Sequence, residues 1–197
     1  VEYIQDINFT PDDIGYLRSL NTFDEEFLQY LTTFKFTGDL YAVREGEIVF
    51  PMEPIVIVKA PLIEAQFVET ALLCMINHQT LIATKADRMT SAAGEGTVVE
   101  FGLRRAQGPD AGIYGARASM IGGAIGTSNV LAGKMFGIPV KGTHAHSWVM
   151  SFPDELNAFN AFADMYPDSC LLLVDTYDTL ASGIPNAIKV FERLRAS

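Results

Sequence analysis

The feature that most constrains this chain is an alternation of strand-like and helix-like runs that starts at Gly96 and continues to the last residues. Thr97-Val98-Val99-Glu100-Phe101 reads as a short strand closed by Gly102. Asp110 to about Ile121 reads as a helix with a small-residue face, and Gly122 to Gly126 as a glycine-rich passage. Thr127-Ser128-Asn129 caps a further helix through Met135, and Phe136 to Thr143 supplies the next strand. Asp154 to Tyr166 is helical in pattern, and Cys170 to Val174 is a buried strand ending in Asp175-Thr176-Tyr177-Asp178. Thr179 to Arg195 closes with a helix that puts Ile188 and Phe191 inside. Four strand-plus-helix units in about 100 residues predict an α/β arrangement on a parallel sheet or barrel. A closed (β/α)8 barrel typically takes about 250 residues, so these units amount to half of one. Either the sheet is small and open or the chain is part of something longer. Val1 in place of a start methionine, and an ending just past a charged helical pattern, lead to the second expectation.

The first 60 residues follow other periods. Thr10-Pro11-Asp12-Asp13 is a helix start with proline at the first helical position, followed by Ile14, Leu17 and Leu20. Thr22-Phe23-Asp24-Glu25 begins a second helix with Phe27, Leu28, Leu31 and Phe34 as its apolar set. Phe36 to Val43, Ile48 to Phe50 and Ile55 to Lys59 are β-rich runs split by Gly38, Gly46 and Pro51, as in a small sheet of hairpins. Glu45-Gly46-Glu47 reads as a solvated turn. Pro61 opens the longest helical pattern, to about Met89, with Phe67, Val68, Ala71, Leu72, Met75 and Ile76 at helical spacing. Met75 and Met89 read as core filler, and the lone His78 as a satisfied core or interface group. The expected organisation is a mixed helix and sheet part over 1–60, a linking helix over 61–95 and an α/β part over 96–197.

Composition narrows the function classes. A formal net charge of −10 argues against a polyanion-binding face, so no nucleic-acid partner is expected. Mean hydropathy is +0.18, yet no run of roughly 18 apolar residues crosses the chain, so no membrane partner is expected either. Cys74 and Cys170 stand apart in apolar segments and read as reduced core residues of a cytoplasmic protein.

Polar groups gather where the strands end. Gly142-Thr143-His144-Ala145-His146-Ser147-Trp148 holds two of the three histidines and the only tryptophan. Three readings compete there: a metal site through His-x-His, a histidine held by a carboxylate as nucleophile or acid/base, or polar residues of a strand-end loop. Arg104 and Arg105 follow Glu100 and suit carboxylate or phosphate, or else a surface ion pair. Asp175 and Asp178 can orient a histidine or reach Mg2+. In a parallel sheet these groups would share one rim. Gly126 to Lys134 lacks the spacing and hydroxyl of a P-loop, and Gly122-Gly123-Ala124-Ile125-Gly126 is not a dinucleotide fingerprint; close packing and a helix start explain both. The helix start at Thr127 can still receive a phosphate.

Four motifs in order make a resemblance specific: Glu100-Phe101-Gly102-Leu103-Arg104-Arg105-Ala106-Gln107, Gly126-Thr127-Ser128-Asn129, Gly142-Thr143-His144-Ala145-His146-Ser147, and Leu173-Val174-Asp175-Thr176-Tyr177-Asp178-Thr179. Together they resemble the nicotinate phosphoribosyltransferase family of type II phosphoribosyltransferases. The likeness runs through Val68-Glu69-Thr70-Ala71-Leu72-Leu73 and Thr80-Leu81-Ile82-Ala83-Thr84-Lys85. It implies a partial irregular (β/α) barrel plus part of a smaller mixed domain. It also implies conversion of nicotinate and phosphoribosyl pyrophosphate to nicotinate mononucleotide and pyrophosphate, with ATP as co-substrate, Mg2+ as cofactor and a homodimer as the assembly.

The resemblance makes His146 the transiently phosphorylated residue, with Asp175 and Asp178 as its acidic neighbours and no preference between them. Phe101 matches a ring that stacks on the pyridine, Arg104 a substrate-site arginine, and Arg105 its neighbour. Thr127, Ser128, His144 and Ser147 complete the implied substrate-binding set, His144 at a variable position. The family carries an N-terminal stretch and later phosphate-binding loops outside this sequence, so the segment by itself is expected to be inactive. The rivals are a nicotinamide-using relative, a non-catalytic barrel-fragment domain, and a metal-dependent hydrolase using His144 and His146. The Arg104-Arg105 pair suits the acidic ring of nicotinate.

Overall fold

The computed structural model describes residues 2–196; Val1 and Ser197, on which the segment expectation turns, lie outside the described residues. The chain divides into two compact units, Val1–Ile138 and Pro139–Ser197.

The first unit begins with α1 (Glu2–Gln5), α2 (Pro11–Ser19) and α3 (Glu25–Thr32). The start of α2 is a capping box: the Thr10 hydroxyl accepts from the Asp13 amide at 3.2 Å, and the Asp13 carboxylate accepts from the Thr10 amide at 2.7 Å. Asp24 caps α3 by accepting from the Phe27 amide at 2.7 Å. Ile14, Leu28 and Leu31 are buried between these helices, and Phe67 closes the cluster from the next long helix, its ring 4.9 Å from Phe34 and 5.5 Å from Phe9.

β1 (Asp39–Ala42) and β2 (Val56–Lys59) form an antiparallel pair with Asp39 opposite Lys59 and Ala42 opposite Val56. The expected strand at Ile48 to Phe50 is absent. The pairing stops where the Val43 amide meets the Ile55 carbonyl at 3.0 Å; the next residue in register, Pro54 opposite Arg44, has no amide hydrogen with which to extend it. The adjacent acidic turn is more than solvated surface: Glu45 receives both arms of the Arg117 guanidinium at 2.5 and 2.6 Å.

α4 (Leu62–Ala93) and α5 (Pro109–Ile121) pack together, and α6 (Val130–Phe136) follows. Gly122 is required by this contact, because a Cβ there would strike the Ala83 carbonyl and the Ala86 side chain. At 1.5 Å per residue, α4 is about 48 Å long and α5 about 20 Å, so α5 covers less than half of it, and the α2–α3 cluster meets its first turns through Phe67. Only Glu64, Val68 and Ala86 are buried along it. Met75, Met89 and Cys74 are exposed, against the expectation that they fill a core. No helix among the described residues is long and apolar enough to cross a membrane.

The second unit holds α7 (His146–Val149), α8 (Glu155–Met165) and α9 (Ile184–Ala196), the last preceded by a π-helical turn at Thr179–Gly183. Its core is Val149, Ala158, Phe159, Ala163, Ala187 and Val190. Ile188 and Phe191 are exposed rather than inside, because the face of α9 that meets α8 carries Ala187 and Val190.

The parallel sheet expected after Gly96 is present only as a fragment. Among the described residues, regular strands are confined to the β1–β2 pair, and residues 97–101 and 125–128 share one parallel bridge, Glu100 with Thr127. Phe136 ends α6, Gly137 turns in the left-handed conformation (φ 67°), and residues 138–145 hold a single bridge residue, Val140, but no strand. Cys170 to Val174 is irregular and only partly buried, since no neighbouring strand in this unit offers the segment a ladder. The fold shown is helix-rich with a small two-stranded sheet, compatible with an α/β fragment.

Candidate functional site

In the first unit, a cleft of about 620 Å3 lies along α4, α5 and the segment around residues 98–106. Phe101, Arg105, Lys85 and His78 are on its wall; Arg104 is exposed outside it. Among the described residues neither Arg104 nor Arg105 makes an ion pair, so the surface-pair reading of the two does not hold. The His78 Nε2–H donates to the Ala111 carbonyl at 3.2 Å. A signal for this wall was present in sequence: His78, Ile82, Lys85 and Met89 recur at helical spacing on one face of α4.

The cleft is shaped by Glu100. One carboxylate oxygen accepts from the Gly102 amide and the other from the Thr127 hydroxyl at 2.5 Å. Thr127 is wholly buried and its oxygen also accepts from the Asn129 amide at 3.0 Å, so its one hydroxyl proton is committed to Glu100 inside the fold. Asn129 in turn caps α6 through the Ala132 amide at 3.1 Å. Ser128 is half-buried, and its amide donates to the Glu100 carbonyl at 3.0 Å. Sequence reasoning put Glu100 among the polar groups but missed that it ties the turn just after Phe101 to the start of α6.

The second unit brings together His144, His146 and Asp175. His146 Nε2 lies 2.9 Å from Asp175 Oδ1, with both side chains about half exposed. That bond holds the Asp175 carboxyl below its usual range, so Asp175 is the anionic acceptor and Nε2 carries the proton. The other ring nitrogen, Nδ1, then presents a lone pair.

Asp178 does a different job. Its Oδ1 accepts from the Leu180 and Ala181 amides at 3.1 and 2.8 Å and caps the π-helical turn. Gly183 at the end of that turn lies against the Val174 carbonyl so closely that a Cβ could not fit. Ser147 is exposed on α7, and its hydroxyl makes no hydrogen bond among the described residues.

His144 is 8% exposed, with ring centroids 4.8 Å from Phe162, 5.3 Å from Trp148 and 5.9 Å from Phe159. Its Nε2 accepts from the Leu173 amide at 3.1 Å, which requires a neutral ring. Burial, chiefly, pushes its pKa down. With the folded value below the unfolded one of about 6.5, the neutral ring contributes stability above pH 6.5, and this is lost as pH falls through the folded value. Stability of the protein is therefore expected to decline on acidification below about pH 6.5, and denaturant titrations on His144→Gln are expected to lack that component. The metal reading of His144 and His146 finds no donor set: no group of three or more His, Cys, Asp or Glu able to hold a metal occurs among the described residues.

Comparison with known proteins agrees along the length of the chain. Residues 1–77 match the nicotinate phosphoribosyltransferase (NAPRTase) N-terminal domain, and residues 97–187 match the nicotinate phosphoribosyltransferase (NAPRTase) family. A nicotinate phosphoribosyltransferase of Bacillus subtilis is 53% identical over 190 residues, covering 96% of this chain and 39% of the relative. Nicotinate phosphoribosyltransferase pncB2 of Mycobacterium tuberculosis is 49% identical over 194 residues, covering 98% and 42%. The crystal structure of human nicotinic acid phosphoribosyltransferase matches with a TM-score of 0.87 at 32% identity, covering 98% of this chain and 49% of that one. A nicotinate-nucleotide pyrophosphorylase from Pyrococcus furiosus matches with a TM-score of 0.68 at 30% identity, covering 80% and 40%. The chain belongs to the nicotinate phosphoribosyltransferase family. It spans about two fifths of the length of the curated relatives it matches.

Proposed function

We propose that the protein carrying this chain joins nicotinate to phosphoribosyl pyrophosphate, giving nicotinate mononucleotide and pyrophosphate for NAD salvage, with transient phosphorylation of His146. The observation that carries the reading is the His146–Asp175 pair in a chain of this family. With its Nε2 proton held by Asp175, His146 attacks the terminal phosphorus of ATP through Nδ1. The N–P bond forms as the bond to the ADP oxygen breaks, and Asp175 stabilises the positive imidazole ring. Water later releases phosphate, and the alternation between charged states couples ATP hydrolysis to substrate affinity.

In the transfer itself, positive charge builds on the ribose as pyrophosphate departs, and the pyridine nitrogen attacks C1. Phe101 is assigned to stack on that ring and Arg105 to hold its carboxylate, because both line the first unit's cleft. Arg104, Ser128 and Ser147 remain assigned to substrate, whereas Thr127 acts through Glu100. Mg2+ typically binds through one or two carboxylates and substrate phosphates, and in this reading it serves as the cofactor that arrives with the phosphates of ATP and phosphoribosyl pyrophosphate. The same reading carries completion of an irregular α/β barrel, a homodimer, and a cytoplasmic location. Activity is assigned to the whole protein, not to this segment alone.

Calorimetry on the intact protein tests the ring assignment. Nicotinate is expected to bind more tightly than nicotinamide. Arg105→Leu is expected to weaken nicotinate by about 1.5–3 kcal/mol, the worth of a charge-assisted hydrogen bond. Tighter binding of nicotinamide would move the protein to the nicotinamide-using relatives.

A further inference from the structure

We propose that His144 is a positioning residue, whose Nε2 holds the Leu173 amide and thereby sets the Asp175 carboxylate against His146. Two rungs join the same two segments: His144 to the Leu173 backbone, and, two residues further along each, His146 to Asp175. The first rung is buried and the second is open to solvent. Two residues of chain reach at most about 7 Å, so fixing the Leu173 nitrogen confines Asp175 to a small volume beside His146.

Little else can do this. The segment from Cys170 to Val174 has no strand pairing, and from Leu171 to Val174 its backbone makes no other hydrogen bond among the described residues. Its remaining restraints are apolar contacts of Leu172 and Val174 with the core and the close approach of Gly183, neither of which fixes an amide direction.

The choice of side chain points the same way. Among Trp148, Phe159 and Phe162, an apolar ring at position 144 would fill the space without burying nitrogens. An imidazole accepting through Nε2 must carry its proton on Nδ1, and that buried nitrogen makes no hydrogen bond of good geometry, only a weak interaction with the Ala145 backbone. The site therefore tolerates a poorly satisfied donor to obtain the bond to Leu173. Importance for phosphoryl transfer rests on the reading of His146 given above; the placement of Asp175 does not.

The test compares His144→Gln, which keeps an acceptor near the place of Nε2, with His144→Leu, which fills space without one. Carbon-13 NMR of labelled aspartate in the intact protein follows the Asp175 carboxyl, and His146→Ala supplies its titration without a partner. The wild type and His144→Gln are expected to keep Asp175 below the usual carboxylate range. Folded His144→Leu is expected to match His146→Ala and to take phosphate from γ-labelled ATP about 100-fold more slowly, as misplaced reacting groups do. An Asp175 titration in His144→Leu like that of the wild type overturns the proposal. Should His144→Leu fail to fold, His144→Gln decides, and its matching His146→Ala overturns the proposal equally. If Asp175 shifts as expected but the wild type takes no label, the positioning role stands and the phosphohistidine reading falls.

Discussion

Replacing Phe159 with alanine is expected to destabilise the second unit by about 3–5 kcal/mol, the range for truncating a buried phenylalanine. Phe159 is fully buried among Val149, Ala158, Ala163, Ala187 and Val190. Its fully or nearly buried companions are three alanines and two valines, whose side chains are too short to fill the space of a lost ring. The cavity would open beside His144, whose ring lies 5.9 Å away. Denaturant titration reads the loss directly, and Phe159→Leu, which keeps most of the volume, should cost less. A loss below about 1 kcal/mol would mean that the core is not organised around this ring.

Asp175→Asn is expected to slow phosphate transfer to His146 by about 10²- to 10⁴-fold while leaving the fold intact. The exposed carboxylate bears little on stability, but it selects the tautomer: it accepts from Nε2 and frees Nδ1. An amide can instead donate to Nε2, which leaves the proton on Nδ1 and removes the nucleophilic lone pair. Asp178→Asn should have a much smaller effect on the transfer rate, because the Asp178 oxygen that caps the π-helical turn has an amide counterpart. Labelling kinetics of the two variants separate the roles, and equal losses would contradict the division of labour.

Local chemistry was readable where it is local. Thr10 with Asp13, Asp24, Asn129 and Asp154 each satisfy an amide within their own helix start, so sequence alone suffices to place α2, α3, α6 and α8. Strands were legible where a hairpin partner lies close in sequence: β1 and β2 fall inside the runs 36–43 and 55–59. Residues 98–100 keep only a short parallel pairing with 125–128, and Leu171 to Val174 has the composition of a strand without a ladder, because pairing depends on what lies beside the segment. The exposed stripe of α4 misled in the same way: Met75 and Met89 have core spacing without a core against them.

At the site, motif order brought out His146 and both aspartates, but not which aspartate bonds the histidine. That choice depends on Gly183 against Val174 and on Asp178 turning back to cap its own turn, which are three-dimensional facts. His144 was legible as a histidine beside an important one. Its burial and its bond to Leu173, a residue 29 positions away, were not.

If His146 carries phosphate, γ-labelled ATP with Mg2+ labels the intact protein but not its His146→Ala variant. Acid-labile, base-stable label is expected in the wild type and none in the variant. A folded wild-type protein that binds nicotinate yet takes up no label, or a His146→Ala protein labelled as well as the wild type, would contradict this role of His146.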